Sequence, residues 1–162
     1  MLQVEVIGLQ WPRREVALLM LGEVGDRSRT LTIAIARPEA VAIELALVGE
    51  QPSRPLTHDL MQTIFEAADL HVEQIVITDL QETTFYAELQ LEVGETHQRV
   101  SCRPSDAVAL ALRADAPMFV SEAVMDLAGV EAASEDDLPL DPDEMVEQFR
   151  DFIDSVDPED FG

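Results

Sequence analysis

The hydrophobic pattern at the start of the chain predicts three strands, over residues 2–9, 15–24 and 30–36, with polar and apolar positions alternating from the first residues. Alternation with a period of two predicts β-strands, because successive side chains of a strand point to opposite faces. Residues 16–21 are apolar on both faces, so the second strand is predicted to be central in its sheet. Arg37-Pro38-Glu39 then opens a predicted helix that ends near Gly49, since proline is favoured in a first helical turn.

The same order of elements recurs in the second half of the chain. Residues 71–80, 84–93 and 96–102 form three further predicted strands, and Arg103-Pro104-Ser105-Asp106 opens another helix. Both helix starts contain Arg-Pro, an acidic residue and Ala-Val-Ala, so we predict an internal duplication of one strand–strand–strand–helix (βββα) unit. The alternative is a coincidence between two alanine-rich buried helices.

A linking helix is predicted between the two units, after Arg54-Pro55-Leu56-Thr57-His58-Asp59. Its buried face is predicted from four apolar residues at helical spacing, Leu60, Met61, Ile64 and Phe65. After the second unit we expect a short strand over residues 118–120 and a helix that Ser121 caps and that runs to about residue 128. Together these patterns predict an α+β fold in which mixed or antiparallel sheets pack against helices.

The last 32 residues differ from the rest in composition, so we predict two domains, residues 1–130 and 131–162. Residues 131–139 are polar and acidic, which is typical of a flexible linker. An N-cap, a proline and an acidic residue at 141–144 then predict an acidic amphipathic helix over about 142–156. Its apolar residues recur on one face, Met145, Phe149, Phe152, Ile153 and Val156. This helix either covers an apolar patch of the body, or docks on a basic protein partner or guards a site against nucleic acid.

Charge is the unusual feature of the composition: 162 residues carry a net charge of −23, and every basic residue other than histidine is arginine. Residues 131–162 account for −12 of this charge and the body for −11. Such a balance argues against a simple nucleic-acid-binding module or an anionic membrane surface as partner, because both bind basic side chains. The charge balance does not exclude an enzyme that binds phosphates through a few arginines or a metal ion.

Cysteine usage and the chain start bear on the compartment. A single cysteine, Cys102, excludes an intramolecular disulfide, and it is expected to be a small core residue rather than a nucleophile. The first residues alternate like a strand instead of resembling a secretion signal, and the apolar stretches are too short to cross a bilayer. We therefore expect a cytoplasmic protein with no membrane partner.

Reactive side chains are concentrated at two helix starts. The first holds Arg54, Thr57, His58 and Asp59, and the second holds Arg103, Ser105 and Asp106. A helix N-terminus offers free backbone N–H groups beside the arginine fork, which suits a phosphate, and a nearby carboxylate can hold Mg²⁺ or activate water. The alternative is structural: the threonine is a natural N-cap, acids stabilise first turns, and the arginines pair with those acids.

Asp79 and Glu82 form a third acidic cluster, in the tight connection between two predicted strands. Two carboxylates in a turn can bind a hard cation, although a solvated hairpin turn has the same composition. His71 and His97 have no metal-ligand spacing to each other or to His58. The chain contains no HExxH motif, glycine-rich phosphate loop or Gly-x-Ser-x-Gly motif.

Three ordered blocks of the sequence resemble the bifunctional nuclease domain family. They span residues 54–60, 79–87 and 103–113, and the match continues through Ala116-Pro117-Met118-Phe119-Val120. The resemblance covers about residues 2–128 and is closest to actinobacterial members. The block at residues 33–39 lacks the glycine expected after the strand, which argues against an equivalent site in the first unit. The acidic tail stands where some plant members carry a UvrB/UvrC-type motif.

The resemblance implies a self-associating α+β domain, expected to be a dimer, and a nuclease activity on RNA and DNA that is attributed to plant members. We therefore predict a hydrolase of broad specificity, an RNase and DNase assisted by Mg²⁺ or Mn²⁺. In this hypothesis Asp59 and Asp106 hold the metal or activate water, with Asp79 and Glu82 as alternative ligands. His58 protonates the leaving oxygen, because an imidazole titrates near neutrality.

Phosphate binding in this hypothesis falls to five residues, Arg54, Thr57, Arg103, Ser105 and Arg113. The competing hypothesis is a non-enzymatic oligomeric interaction protein whose acidic tail binds a basic partner. The two differ in geometry: a nuclease requires the arginines in one open cleft with Asp59 and Asp106, whereas a binding module would bury them as ion pairs.

Overall fold

An eight-stranded sheet and four helices make up the part of the chain that this computed structural model describes, residues 1–25 and 29–131. The first unit consists of β1 (Leu2–Arg13), β2 (Val16–Glu23), β3 (Arg29–Ala36) and α1 (Arg37–Leu47). The linking helix α2 (Thr57–Ala67) leads to the second unit, β4 (Leu70–Gln81), β5 (Thr84–Val93), β6 (Thr96–Cys102) and α3 (Pro104–Ala114). The described part ends with β7 (Met118–Val120), α4 (Glu122–Ala128) and β8 (Gly129–Glu131).

The order of strands across the sheet is β6-β5-β4-β7-β1-β2-β3-β8. Every neighbouring pair is antiparallel except β4 and β7, which run parallel, so the two three-stranded meanders meet on either side of β7. The predicted α+β class is confirmed, and each meander is followed by a helix. A common origin of the two units stays a prediction, since the order of elements alone does not test it.

The core lies between the sheet and the helices α1 and α3. β2 is central in its meander, as predicted, and Ala17, Leu19 and Leu21 are completely buried in it. Residues 107–111 of α3 are also completely buried, one after another. A helix that is covered on all sides lies in the interior of a fold. α1 and α2 both pack against α3.

Two strands differ from the sequence expectation. β1 extends to Arg13 instead of ending at Leu9, and its pairing with β2 shifts register between Gln10 and Arg13. β8 pairs with β3, although its last residue, Glu131, was predicted to begin a linker. The bulge between Gln10 and Arg13 interrupts the alternation at the end of β1. β8 depends on hydrogen bonds to a distant strand, and it is too short to carry a periodic pattern of its own.

The predicted buried face of α2 is wrong in two of its four residues. Leu60 and Ile64 are 52% and 53% exposed, whereas Met61 and Phe65 pack against the core. The spacing of the four residues fits two adjacent stripes of one helix, and only one stripe faces the body. His58 takes a buried position on the inner side instead, with 7% of its surface exposed.

The predicted tail helix lies outside the described residues, and so does most of the predicted linker. Met1–Glu131 forms one compact unit. None of the helices within the described ranges is long and apolar enough to span a membrane.

Candidate active site

A cleft of about 950 Å³ lies between the N-terminal ends of α1, α2 and α3 and the end of β6. Arg103 has an extended backbone, as the residue before a proline does, so the chain turns sharply from β6 into α3. Before α1 the extended residue is Ala36, and Arg37 and Pro38 form the first turn of that helix. The turn after β6 therefore places Arg103 and Asp106 at the cleft, and the turn after β3 places Arg37 and Glu39 there. The apolar wall of the cleft is formed by residues of α2, α3, β5 and β6 and of the segment before α2, among them Leu56, Met61, Leu89, Val100 and Leu110.

His58, Asp106 and Arg103 form a hydrogen-bonded group in this cleft. The Nε2 atom of His58 lies 3.1 Å from Oδ1 of Asp106. Arg103 donates from Nε to Oδ2 of the same carboxylate at 2.7 Å and from Nη2 to Oδ1 at 3.0 Å. This fork-to-fork geometry is the strong form of an arginine–carboxylate pair. The carboxylate of Asp106 is thus held in place from two sides.

The protonation of this group follows from its surroundings. Burial of the Asp106 carboxyl opposes ionisation, but hydrogen bonds from Arg103 and His58 outweigh it and hold the pKa below its ordinary value. An ionised carboxylate only accepts hydrogen bonds, so Nε2 of His58 carries the proton that it shares with Asp106. The Nδ1 atom has no hydrogen-bond partner among the described residues. In the neutral imidazole, Nδ1 is therefore a free base.

Glu39 joins the group from the first unit of the fold. Its Oε1 atom lies 3.0 Å from Nη1 of Arg103, and its Oε2 atom is buried and has no hydrogen-bond partner among residues 1–25 and 29–131. Charge pairing on both sides raises the pKa of Arg103. The first unit therefore contributes a residue to this group, because Glu39 of α1 and Asp106 of α3 share one guanidinium. The absence of an equivalent site in the first unit stays a prediction.

Arg37 also lines the cleft, and the sequence hypothesis did not include it. Its side chain is exposed and pairs with no carboxylate in the described ranges, and its Nη1 donates to the carbonyl oxygen of Arg14 at 3.1 Å. The signal that could have found Arg37 and Glu39 is the repeated Arg-Pro-acid pattern, which places them where Arg103 and Asp106 stand in the second unit.

Asp59 and Arg113 lie apart from this cleft, in a smaller groove of about 380 Å³. The Nε atom of Arg113 donates to Oδ1 of Asp59 at 2.6 Å, and the backbone N–H of Leu56 donates to Oδ2 at 2.8 Å. The hydrogen bond from Arg113 is the main reason that the pKa of Asp59 is low. Arg113 also donates to the carbonyl oxygens of Ala109 and Ala42. This pair ties together α1, α2 and α3.

The remaining predicted phosphate-binding residues are scattered. Thr57 is exposed and lines the main cleft. Ser105 is buried and lines a neighbouring cleft of about 570 Å³, which shares Arg103 and Glu39 with the main one. Arg54 is exposed, forms no ion pair within the described part and lines neither cleft. Of the five, Thr57 and Arg103 reach the main cleft.

The donor set does not suit a divalent metal at the predicted positions. Both carboxylate oxygens of Asp59 are engaged, by Arg113 and by the backbone N–H of Leu56. Both oxygens of Asp106 are engaged as well, by Arg103 and His58. Asp79 accepts from the N–H of Leu80 and from Gln81, and Glu82 lies in the tight turn after β4. Across residues 1–25 and 29–131, no group of three or more His, Cys, Asp and Glu side chains could hold a metal ion.

Cys102 lies in the wall of the cleft at the end of β6. Burial raises the pKa of its thiol to about 11. The thiolate is the reactive form of cysteine, and at neutral pH almost none is present. Cys102 therefore serves as a partly buried wall residue, as the sequence suggested.

Comparison with known proteins agrees with the blocks of the sequence. The model of the bifunctional nuclease domain matches residues 19–133. Two uncharacterized proteins of Mycobacterium tuberculosis, from strains CDC 1551 / Oshkosh and ATCC 25618 / H37Rv, are each 41% identical to the chain over 164 residues. Each alignment covers 98% of this chain and 97% of the relative, and both relatives are actinobacterial. The chain belongs to the bifunctional nuclease domain family.

Proposed function

We propose that the protein hydrolyses phosphodiester bonds of nucleic acid in the cleft between α1, α2 and α3. The observation that carries this proposal is the pair of His58 and Asp106, which leaves Nδ1 of a nearly buried imidazole without a partner in the cleft. Membership of the bifunctional nuclease domain family supports the class of reaction. Pairing with a carboxylate is how proteins orient an imidazole that transfers protons.

The proposed reaction uses His58 as the proton carrier. Nδ1 takes a proton from a water molecule as its oxygen bonds to phosphorus, and the bond from phosphorus to the departing oxygen breaks. The imidazolium that forms is stabilised by Asp106 through Nε2. The proton then leaves with the departing oxygen or to solvent. Because water is the nucleophile, the step needs no 2′-hydroxyl, which fits the predicted action on both RNA and DNA.

The charge of the cleft removes the objection that the chain repels its substrate. The chain carries −23 overall, but in the lining of the cleft two arginines, Arg37 and Arg103, balance two carboxylates, Glu39 and Asp106. Arg103 is occupied by both carboxylates and therefore positions Asp106. Arg37 is unpaired within the described part, so it is the residue that we assign to the phosphate.

The sequence hypothesis called for Mg²⁺ or Mn²⁺, and the proposed step includes neither ion. Asp59 and Asp106, the first residues named for the metal, are held by Arg113 and Arg103. The proposed step uses three side chains: His58 as the base, Asp106 as its carboxylate partner and Arg37 as the arginine that binds the phosphate.

Incubation of the purified full chain with labelled single-stranded RNA and DNA, in Mg²⁺, Mn²⁺ or EDTA, tests the proposal. We expect cleavage of both substrates, and persistence of cleavage in EDTA, because the proton transfer uses side chains alone. Absence of cleavage in every condition at high protein concentration would contradict the proposal. Cleavage that EDTA abolishes would support the hydrolase activity and would show that it requires a divalent metal ion.

A second proposal is self-association through α2, which the competing interaction hypothesis also predicts. Leu56, Leu60 and Ile64 are spaced four residues apart and are 39%, 52% and 53% exposed. Such an apolar stripe can meet the same stripe of a second copy across a two-fold axis. Leu60→Glu with Ile64→Glu is expected to convert dimers into monomers in sedimentation velocity. Leu127→Glu with Val130→Glu adds the same charge at exposed apolar positions and should leave the dimer intact; monomeric wild-type protein would overturn this proposal.

A further inference from the structure

The tip of the β1–β2 hairpin combines arginines that have no carboxylate partner with the single tryptophan of the chain. Arg13 and Arg14 are exposed and form no ion pair with any residue in the described ranges. Trp11 is 39% exposed, and the guanidinium of Arg37 lies over its ring at 5.8 Å from the ring centre. Glu15 is the one acidic residue of the turn, and it pairs with none of these arginines.

The backbone of the hairpin explains why these side chains are displayed. The register between β1 and β2 shifts between Gln10 and Arg13, where Trp11 and Pro12 stand opposite a single residue, Ala17. Pro12 cannot donate a ladder hydrogen bond, and a bulge is where a sheet accepts it. A bulge also bends the strand and redirects its side chains. Residues 10–15 are all exposed as a result.

Arg37 connects this tip to the active-site cleft. It lines the cleft together with His58 and Asp106, donates to the backbone of Arg14 and stacks on Trp11. One continuous surface therefore leads from the proton carrier to the hairpin. By contrast, Arg29, Arg103 and Arg113, which also belong to the described part, are each bonded to carboxylates.

We infer that this surface, formed by Trp11, Arg13, Arg14 and Arg37 and here named the hairpin track, binds the single-stranded nucleic acid that extends from the cleft. The inference rests on the proposed function and adds the form of the substrate and the residues that hold it. Arginines neutralise successive phosphates, and an indole ring offers a stacking platform for a base. Stacking requires a base that is not already paired within a duplex, so the track selects single strands.

Fluorescence of the chain tests the inference directly, because Trp11 is its single tryptophan. The probe is a phosphorothioate oligothymidylate of about 15 nucleotides, which keeps the charge and resists cleavage. We expect saturable quenching of Trp11 by this strand and much weaker quenching by a duplex of the same length. Equal quenching by both forms, or quenching by neither, would overturn the inference.

Variants of the track provide the second measurement, with anisotropy of a labelled strand as the readout. Trp11→Ala is expected to weaken binding at least about fivefold, and Trp11→Phe to restore part of the affinity. Arg13→Gln with Arg14→Gln should reduce the slope of log affinity against log salt by about 1.4, since each phosphate contact contributes about 0.7. Arg99→Gln is the control, because Arg99 is exposed on β6, forms no ion pair with any described residue and does not line the cleft.

The outcomes separate this inference from the proposed function. Track-dependent binding without cleavage would uphold the inference and refute the nuclease. Cleavage of single strands by all track variants with unchanged KM would refute the inference and leave the nuclease. An equal loss of affinity in Arg99→Gln would show that overall charge governs binding, which overturns the track. The last measurement uses anionic lipid vesicles. A blue shift of the Trp11 fluorescence with vesicles but not with single strands would indicate that the surface binds a membrane, and it would overturn the inference.

Discussion

His58→Gln is expected to lower the rate of phosphodiester cleavage by about 10²–10⁴-fold, because the variant has no group at Nδ1 that can take a proton at neutral pH. Asp106→Asn should lower it by a similar factor, since a neutral amide stabilises an imidazolium poorly and can orient the wrong tautomer. Both losses should fall on kcat more than on KM, because neither side chain is assigned to the phosphate. Single-turnover cleavage of labelled RNA measures them.

The matched control is His97→Gln. His97 lies on β6, is exposed and pairs with Glu73 at 2.8 Å, so the same substitution is made away from the cleft. It should leave the rate unchanged. If His58→Gln folds like the wild type by circular dichroism and still cleaves RNA as fast as His97→Gln, the active site lies elsewhere.

The pH profile distinguishes the proposed base from the acid that the sequence hypothesis assigned to His58. A base works in its neutral form, so the rate should rise from acidic to neutral pH and then level off. The low pKa of Asp106 keeps that carboxylate charged throughout this range, so its titration does not contribute. A rate that falls over the same range would identify His58 as the acid instead.

Arg113→Ala is expected to lower the free energy of unfolding by about 3 kcal/mol. The side chain of Arg113 is 10% exposed and that of Asp59 is 27% exposed. Breaking a buried pair leaves a charge without its partner and costs roughly 3–5 kcal/mol, and the partial exposure of Asp59 favours the lower end. The carbonyl oxygens of Ala109 and Ala42 lose a donor as well. Urea unfolding at pH 7 measures the change.

The same variant predicts how this stability depends on pH. Arg113 lowers the pKa of Asp59 in the folded state, so the pair stabilises the fold above the ordinary aspartate pKa of about 3.9. The contribution is lost as the pH falls through the folded-state pKa. The difference between wild type and Arg113→Ala should therefore shrink between pH 5 and pH 2. Arg54→Ala removes an arginine that forms no ion pair within the described part of the chain, so it should change stability little; an equal effect of both variants would contradict the assignment.

Most elements of the fold could be predicted from local patterns. The alternation of β5 and β6 and the Arg-Pro starts of α1 and α3 lie within short stretches of chain, and the structure places these elements within a few residues of the prediction. Of the segments that were missed, the end of β1 contains a bulge that breaks the alternation, and β8 is stabilised by a strand far along the chain. Leu60 and Ile64 were assigned to a buried face because spacing shows which residues share a side of a helix and not what covers that side.

The candidate site was predictable only in part. His58, Arg103 and Asp106 belong to the family blocks, and the structure brings these three together. Asp59 and Arg113, from the same blocks, form a separate ion pair across 54 positions of sequence. Arg37 and Glu39 line the cleft from the first unit, for which the sequence predicted no equivalent site.

The sequence by itself determined the strands and helices, the charge of the chain and its family, because these depend on residue types and short spacings. The tertiary structure decided which charges remain free. The sheet places the two meanders on either side of β7, so that α1 and α3 start at one cleft and Glu39 meets Arg103. Whether an arginine is available to a phosphate depends on the carboxylate beside it in space, and here that partner is often tens of residues away in the chain.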